Sequence, residues 1–333
     1  MKRKPDQLQA VILAAGRGRR LEPITLTHSK AMTPIIGKPM VQLLIEKLYA
    51  VGLRRFVVVR APDDRDMESL LKSLNSKQDL EIKSCIQPEP KGTADALLCA
   101  RDLIEKDFIL SSCDNLYPHS HFQSLVHTYL NEHPSVIMTL CRIKPGDLNK
   151  AAGVKLNGKQ VIEIKEKPGE NSGSWDAISK FLFALDKRIL EFLDNVPESK
   201  RGEKEAQEPI KWLIEKLKPK RVPIGIFVEH YLHLTTEQDL LKIHEHYLSE
   251  HKPFTIHPEA VLEKSVELKE PVMIEKGAVI GEGSVIGPMV YIGPNARIGR
   301  QSKLQRCIVY PCCALSDRAC LSAEVIMNKQ MKT

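Results

Sequence analysis

The sequence has no uncharged apolar run near the ~20 residues that a membrane span needs, and stretches such as Val222–Val228 fall far short of it. A transmembrane helix is therefore not expected. Aromatic residues make up only 5% of the chain, and basic charge is not gathered in one place: of 49 Lys and Arg against 42 Asp and Glu, ten and eight follow Phe254. A concentrated nucleic-acid face is excluded on both counts. Eight cysteines in 333 residues are too sparse for a disulfide framework, which points to reduced thiols in a soluble, cytoplasmic protein. The basic start Met1-Lys2-Arg3-Lys4 leads only into the short apolar run Ala10 to Ala15, not into the hydrophobic core of a signal peptide. What remains is a globular chain with 42% apolar and 27% charged residues, long enough for two domains. Its formal charge of +7 suits anionic ligands without requiring them.

From Ala10 to about Leu248, short apolar runs alternate with amphipathic segments. Val11-Ile12-Leu13, Phe56–Val59, Phe108–Leu110 and Val136–Met138 read as buried strands; Met40 to Val51, Met67 to Leu74, Ala94 to Glu105 and Phe122 to Glu132 read as helices. Strand followed by helix, repeated, predicts an α/β layer with a mostly parallel, Rossmann-like sheet and a ligand crevice at the carboxyl ends of its strands. The Lys- and Glu-rich segment Pro197 to Pro209 reads as an exposed loop.

Beyond Phe254 the period changes. Ile256, Leu262, Leu268, Ile274, Ile280, Ile286, Ile292, Ile298 and Leu304 are nine consecutive aliphatic positions spaced by six. Small or β-branched residues follow four places later, from Ala260 and Val266 to Ala296 and Ser302. The register then slips by one and resumes at Val309, Leu315 and Leu321, with Cys313, Ala319 and Val325 as partners. Unrelated short strands with glycine turns are the competing account, and nine uninterrupted matches weigh against it. The pattern resembles the hexapeptide repeat of left-handed parallel β-helices, about four coils of roughly 18 residues. Gly281, Gly287, Gly293 and Gly299 follow the inward residue, where a turn without Cβ is expected.

The first strand runs into Leu13-Ala14-Ala15-Gly16-Arg17-Gly18-Arg19-Arg20-Leu21, and Lys30 follows. Glycines after a strand let backbone N–H groups approach phosphate, and nearby cations neutralise it. The third glycine of a dinucleotide fingerprint is missing at Leu21, and Gly37-Lys38 is followed by Pro39 rather than the Ser or Thr of a P-loop.

The whole string from Leu13 to Met40, LAAGRGRRLEPITLTHSKAMTPIIGKPM, closely resembles the signature of the sugar-1-phosphate nucleotidylyltransferases. Gln87-Pro88 with Gly92-Thr93-Ala94-Asp95-Ala96 is similar to that family's base-reading segment. Asp114 in Ser111–Asn115 looks like its metal aspartate, and Ala152-Gly153-Val154 and Glu166-Lys167-Pro168 like its sugar contacts. The resemblance implies transfer of a nucleoside monophosphate from UTP or dTTP to a sugar 1-phosphate, releasing pyrophosphate. Leu13, Ala14, Ala15, Gly16, Gly18, Arg19, Gln87, Gly92 and Thr93 would bind nucleotide. Arg20 and Lys30 would hold the triphosphate, and Gly153, Glu166 and Lys167 the sugar phosphate. Mg²⁺, or Mn²⁺, would sit on Asp114. The implied layout is a nucleotidyltransferase domain over residues 1–250 and a short left-handed β-helix over 254–333, the latter mediating homo-oligomer formation.

Four positions depart from the family pattern. Arg19 replaces a small hydroxyl residue, Ser112-Cys113 replaces Asn-Gly, and Ser179-Lys180-Phe181 stands where small residues line the sugar pocket. Tyr231-Leu232-His233 aligns with Trp-x-Asp, so His233 occupies the place of a second metal aspartate, and imidazole is a poor ligand for hard Mg²⁺. His233 as a ligand through Mn²⁺ or a water, Asp114 acting alone, and weakened activity all stay open. Two rival functions follow: a sugar-nucleotide-binding regulatory homologue, and a hexapeptide acyltransferase, the latter opposed by His257 being the only histidine after residue 254. The four cysteines from Cys307 to Cys320 lack zinc spacing. His119, His121 and His127 read as solvated helix residues, and His244 and His246 as facing different ways.

Overall fold

The computed structural model describes residues 4–77, 79–199, 202–218 and 220–327. The basic residues before Lys4, and Lys200 and Arg201 of the Pro197–Pro209 segment, lie outside them. The chain forms two compact units, one of Met1–Arg17 and Val41–Tyr231, the other of Gly18–Met40 and Leu232–Thr333. The expected division between residues 250 and 254 falls inside the second unit, where its helix ends and its coils begin.

The main elements in chain order are β1 (Gln9–Leu13), α1 (Met40–Ala50), β2 (Arg55–Arg60), α2 (Arg65–Lys77), β3 (Glu81–Ile86), α3 (Thr93–Cys99), β4 (Phe108–Ser112), α4 (His119–Glu132), β5 (Val136–Cys141), β6 (Gly153–Asn157), β7 (Gln160–Lys165), β8 (Ala177–Leu185), α5 (Gln207–Leu217) and β9 (Ile224–Phe227). The strands form one nine-stranded sheet in the order β3-β2-β1-β4-β8-β5-β9-β7-β6. Its first four strands are parallel, as the strand–helix alternation predicts. Beyond them the sheet is mixed: β8 runs antiparallel to both β4 and β5, and β7 antiparallel to β9 and β6. The four apolar runs read as strands all lie in this sheet. Val11, Val57, Leu110, Met138 and Phe183 meet in one core cluster, because strands covered by helices must be apolar on both faces.

Two local expectations are corrected. The helix read over Ala94–Glu105 stops at Cys99, where the Ala100 N–H reaches the Leu97 carbonyl and the chain tightens into a short 3-10 turn, Arg101–Leu103. The Pro197–Pro209 segment is not simply an exposed loop: Ala206 is fully buried and Pro209 is buried in the first turn of α5.

In the second unit, α6 (Glu237–Glu250) begins with a capping box in which Thr236 and Asp239 exchange hydrogen bonds. The six-residue period becomes a parallel β-helix of three narrow sheets with five, four and four strands. Ile256, Ile274, Ile292 and Val309 stack on one face, and the one-residue slip after Leu304 appears as the 17-residue step from Ile292 to Val309. The second series fills the interior: Ala278, Ser284, Val290, Ala296 and Ser302 are fully buried. The two serine hydroxyls are satisfied in a ladder, Ser284 Oγ accepting from the Ser302 N–H at 3.0 Å while both hydroxyls donate to the Gly299 carbonyl.

Of the glycines that follow the inward residues, Gly287 turns the chain with a φ of +112°, whereas Gly281, Gly293 and Gly299 serve close stacking. A Cβ on Gly299 would lie 2.4 Å from the Asp317 nitrogen of the next coil, and the φ of Gly299 is not positive. The left-handed corners fall instead on residues such as Met289, Asn295, Gln301, Arg306, Cys312 and Arg318. Inward burial is complete from Ile274 to Leu304 but not in the first coil, where Ile256 and Leu262 are each 38% exposed because that coil has a neighbour on one side only. No described helix is long and apolar enough to cross a membrane. Ile292→Ala is expected to cost about 2–5 kcal/mol in chemical denaturation and Ile256→Ala under about 1 kcal/mol, a contrast that equal losses would refute.

Candidate active site

The order of the parallel strands places the topological switch point between β1 and β4, with β2 and β3 continuing on the other side of β1. The first-unit candidates for the nucleotide and metal leave the carboxyl ends of these strands. Leu13 is paired with Ser112, and its carbonyl accepts the Cys113 N–H at 3.1 Å; the Ala14 N–H donates to the Val59 carbonyl at 2.8 Å. Leu13, Ala14 and Ala15 are buried, whereas Gly16 is exposed and a Cβ built on it meets no protein atom within 4 Å. Asp114, half-buried, follows one residue after the Cys113 that is bonded to Leu13; its Oδ1 accepts from Asn115 Nδ2 at 3.0 Å, and that amide also donates to Ser112 Oγ. Cys113 is buried.

Gln87 continues β3 and also stands at the carboxyl edge, its N–H bonded to the Arg60 carbonyl. It is 6% exposed, and its side-chain amide donates to the Gly92 carbonyl and to Asp95 Oδ2. Both amide protons thus serve the protein, which leaves Oε1 as the atom suited to accept from a base. Gly92 has a φ of +107°, and a Cβ there would lie 2.4 Å from the Lys204 carbonyl oxygen. The Lys204 carbonyl accepts from Ala94 N, and Thr93 Oγ1 accepts from Ala206 N at 2.9 Å. The Lys- and Glu-rich segment therefore docks on the Gly92–Ala94 segment. Its charge pattern hid this, since the bonds use backbone atoms.

The three sugar-phosphate candidates come together. A Cβ on Gly153 would meet the Trp175 ring at 2.7 Å and Pro168 at 2.9 Å. Lys167 Nζ lies 3.1 Å from Glu166 Oε1, with the Lys167 backbone in the left-handed region at φ 41°. Glu166 Oε2 is buried with no hydrogen-bond partner among the described residues, an unusual condition for a carboxylate oxygen.

In the second unit, Gly18 packs against Lys30: a Cβ on it would lie 2.8 Å from Lys30 Cβ, and Thr25 Oγ1 donates to its carbonyl. Lys30 is 9% exposed, while Arg19 and Arg20 are exposed on a short 3-10 turn, Arg19–Leu21. The Gly-Lys-Pro segment forms a tight hairpin, Pro34–Ile35 against Lys38–Pro39, and His244 of α6 approaches the Pro34 carbonyl at 3.2 Å. His233 is exposed in this unit.

A divalent metal fits what Asp114 offers. A single carboxylate beside substrate phosphates is a common protein contribution to Mg²⁺, and among the described residues no group of three or more His, Cys, Asp or Glu could form a complete protein cage.

Residues 9–226 match the family described as Nucleotidyl transferase. The chain belongs to that family. Residues 268–331 match the GMPPB C-terminal domain. Among curated proteins the chain is 29% identical over 218 residues to Bifunctional protein GlmU of Methanocaldococcus jannaschii, covering 66% of this chain and 50% of that protein. It is also 29% identical over 204 residues to glucose-1-phosphate thymidylyltransferase of Neisseria meningitidis, covering 60% and 69%. The chain thus spans about half the length of the GlmU relatives it matches. A crystal structure of UDP-glucose pyrophosphorylase complexed with UDP-glucose superposes with a TM-score of 0.64 at 18% identity, covering 73% of this chain and 99% of that one. The UTP-bound UGPase from Acinetobacter baumannii gives 0.63 at 19%, covering 73% and 94%. These two establish the shared fold.

Tyr117, which carries no sequence signal, joins two of the residues that depart from the family pattern. Tyr231 stacks on the buried Tyr117 with centroids 5.6 Å apart, and the Lys180 ammonium lies 5.3 Å above the Tyr231 ring. His121, read as solvated, is 6% exposed, with Nε2 2.9 Å from Thr139 Oγ1. Its position on the inner face of α4, beside the buried Phe122 and Leu125, explains the difference. Burial holds His121, and likewise His244, at a pKa of about 4 rather than 6.5. Because the unfolded chain takes up these protons first, stability is lost as pH falls from about 6.5 to about 4. The expected fall in thermal midpoint across that window should become shallower in His121→Gln; an unchanged slope would count against the burial effect.

Proposed function

We propose that the protein transfers a nucleoside monophosphate from a nucleoside triphosphate, UTP or dTTP preferred, to a sugar 1-phosphate, giving an NDP-sugar and pyrophosphate. The observation that carries this reading is the meeting, at the β1–β4 switch point, of the phosphate-loop strand end with the segment bearing Asp114. Family membership and the name of the relative glucose-1-phosphate thymidylyltransferase support it.

An oxygen of the sugar 1-phosphate attacks the α-phosphorus in line, the bond to the bridging oxygen breaks, and pyrophosphate leaves with that electron pair. Both reactants are anions, so positioning and charge neutralisation are the main requirements. The backbone from Leu13 to Gly18 cradles phosphate, with Gly16 leaving open space where a Cβ would stand. Arg19 adds charge to that loop. Arg20 and Lys30 neutralise the triphosphate and the departing pyrophosphate. Lys167 grips the sugar phosphate, and the unpartnered Glu166 Oε2 accepts from a sugar hydroxyl. Gln87 Oε1 accepts the N3–H of uracil or thymine, while Gly92 and Thr93 shape that pocket. Gly153 gives the flat approach under Trp175. Asp114 would hold Mg²⁺ or Mn²⁺, which would supply Lewis-acid neutralisation of phosphate charge when bound.

The proposed functional division is residues 1–250 for transfer and 254–333 for the β-helix, which we assign to self-association. The first coil supports this with Phe254, Ile256, Val261 and Leu262 exposed around its end. All eight cysteines are free thiols, in keeping with a cytoplasmic setting. A second reading, a sugar-nucleotide-binding regulatory homologue, draws support from His233 standing in place of a carboxylate. An acyltransferase draws none, since His257 Nδ1 is used to accept the Glu259 N–H.

Pyrophosphate release from a panel of triphosphates and sugar 1-phosphates is the test. Asp114→Asn and Lys30→Ala should each lower kcat by about 100-fold or more, and His233→Asp should raise Mg²⁺-dependent activity. No release from any pair, with UTP binding intact, selects the regulatory reading. In sedimentation, Val261→Glu with Leu262→Glu should lower the oligomeric state; an unchanged state removes the first coil as the contact.

A further inference from the structure

Beside the proposed sugar-phosphate segment lies a cavity of about 720 Å³, formed where β5 and β9 end and β8 begins. It adjoins that segment through the sheet, because Ile178 on its wall is paired with Gly153. Its lining includes the buried Ile178 and the partly exposed Phe227, together with three cations: Arg142, Lys144 and Lys180. Among the described residues, none of the three has a carboxylate within ion-pair distance. The acidic groups of the lining are engaged differently. Asp147 Oδ2 accepts the Lys144 N–H at 2.9 Å and Asp176 Oδ2 the Leu156 N–H at 2.8 Å, so both carboxylates are tied to backbone donors. Glu229 is exposed at the rim.

Lys180 is the best placed of the cations. It is half-buried, and its ammonium is steered by the face of Tyr231, which is held in turn by the stack on Tyr117, itself 1% exposed. A lysine fixed over an aromatic face keeps its donors for a ligand, and an aliphatic and aromatic lining suits the apolar face of a pyranose ring. The cavity also exceeds what one neutral hexose fills.

We infer that this cavity is a specificity subsite for an acidic substituent, a carboxylate or a second phosphate, on the sugar 1-phosphate, with Lys180 as its principal anion contact. The inference rests on the proposed transfer reaction for the identity of the sugar phosphate, but its test does not depend on turnover. Calorimetric titration of the full chain would compare glucose 1-phosphate with glucuronic acid 1-phosphate and with glucose 1,6-bisphosphate. Either or both acidic ligands should bind at least about tenfold more tightly than the neutral sugar, and which of them does so identifies the acidic group. Lys180→Met should bring the ratio to near one, Lys180→Arg should retain it, and Arg142→Gln should lower it. Thermal melts of each variant separate lost folding from lost recognition, and the arginine and Arg142 variants keep the test open if Lys180→Met does not fold. Equal affinity in the wild type, a ratio unmoved by Lys180→Met, or binding of none of the three overturns the subsite. Turnover of neutral sugars without preference leaves the reaction standing and removes the subsite, whereas preferential binding without pyrophosphate release does the reverse.

Discussion

The constraint on which the first unit depends is the level register of three parallel strands. Leu13 of β1 faces Val59 of β2 and Ser112 of β4 in the same row. Parallel pairing with evenly spaced bonds means that all three chains leave the sheet at one edge, and the two bonds just beyond it, Ala14 to Val59 and Cys113 to Leu13, extend that alignment into the loops. A phosphate loop and an aspartate separated by about a hundred residues of sequence are brought side by side by backbone hydrogen bonds alone. No side-chain contact between them is needed for that alignment.

The antiparallel half of the sheet does different work. It carries the residues proposed for the sugar phosphate on β6 and on the turn after β7, and the register shift between Lys180 and Phe183 in the β8–β5 pairing lies beside them. A bulge at such a point re-aims side chains without breaking the sheet. In the proposed reaction, the parallel half would offer backbone to phosphate and the antiparallel half side chains to the sugar, on strands that pair only through the β4–β8 contact.

The sequence made the repeat and the apolar strands legible because both depend on period, and period survives substitution. The inward positions from Ile274 to Leu304 and the slip to Val309 could be counted from residue types alone. The signature string was legible because it is contiguous. What could not be read rested on backbone atoms or on single side chains meeting across long separations. Lys204 docks on Gly92 and Ala94 through main-chain groups that any residue possesses. The left-handed corners at Gln301, Arg306 and Arg318 are occupied by residues that carry no turn signal. His121 looked like its neighbours His119 and His127 until the helix was placed against β5. The Lys180–Tyr231–Tyr117 stack joins three separate elements, and its members could be flagged as departures from a pattern but not as partners.

The glycines of the site region fall into two kinds with different evolutionary freedom. Gly18, Gly92 and Gly153 are hemmed in by Lys30, Lys204 and Trp175, so any replacement is screened first by folding, whatever it does to a ligand. A Cβ on Gly16 would stand in open space. A methyl group there meets no neighbour that folding would have to move, so the contacts that oppose it come from whatever approaches the loop from outside. A lineage that lost its need for a nucleotide would be free to drift at Gly16 while the other three stayed fixed, which makes that one position a record of whether selection is still acting on binding.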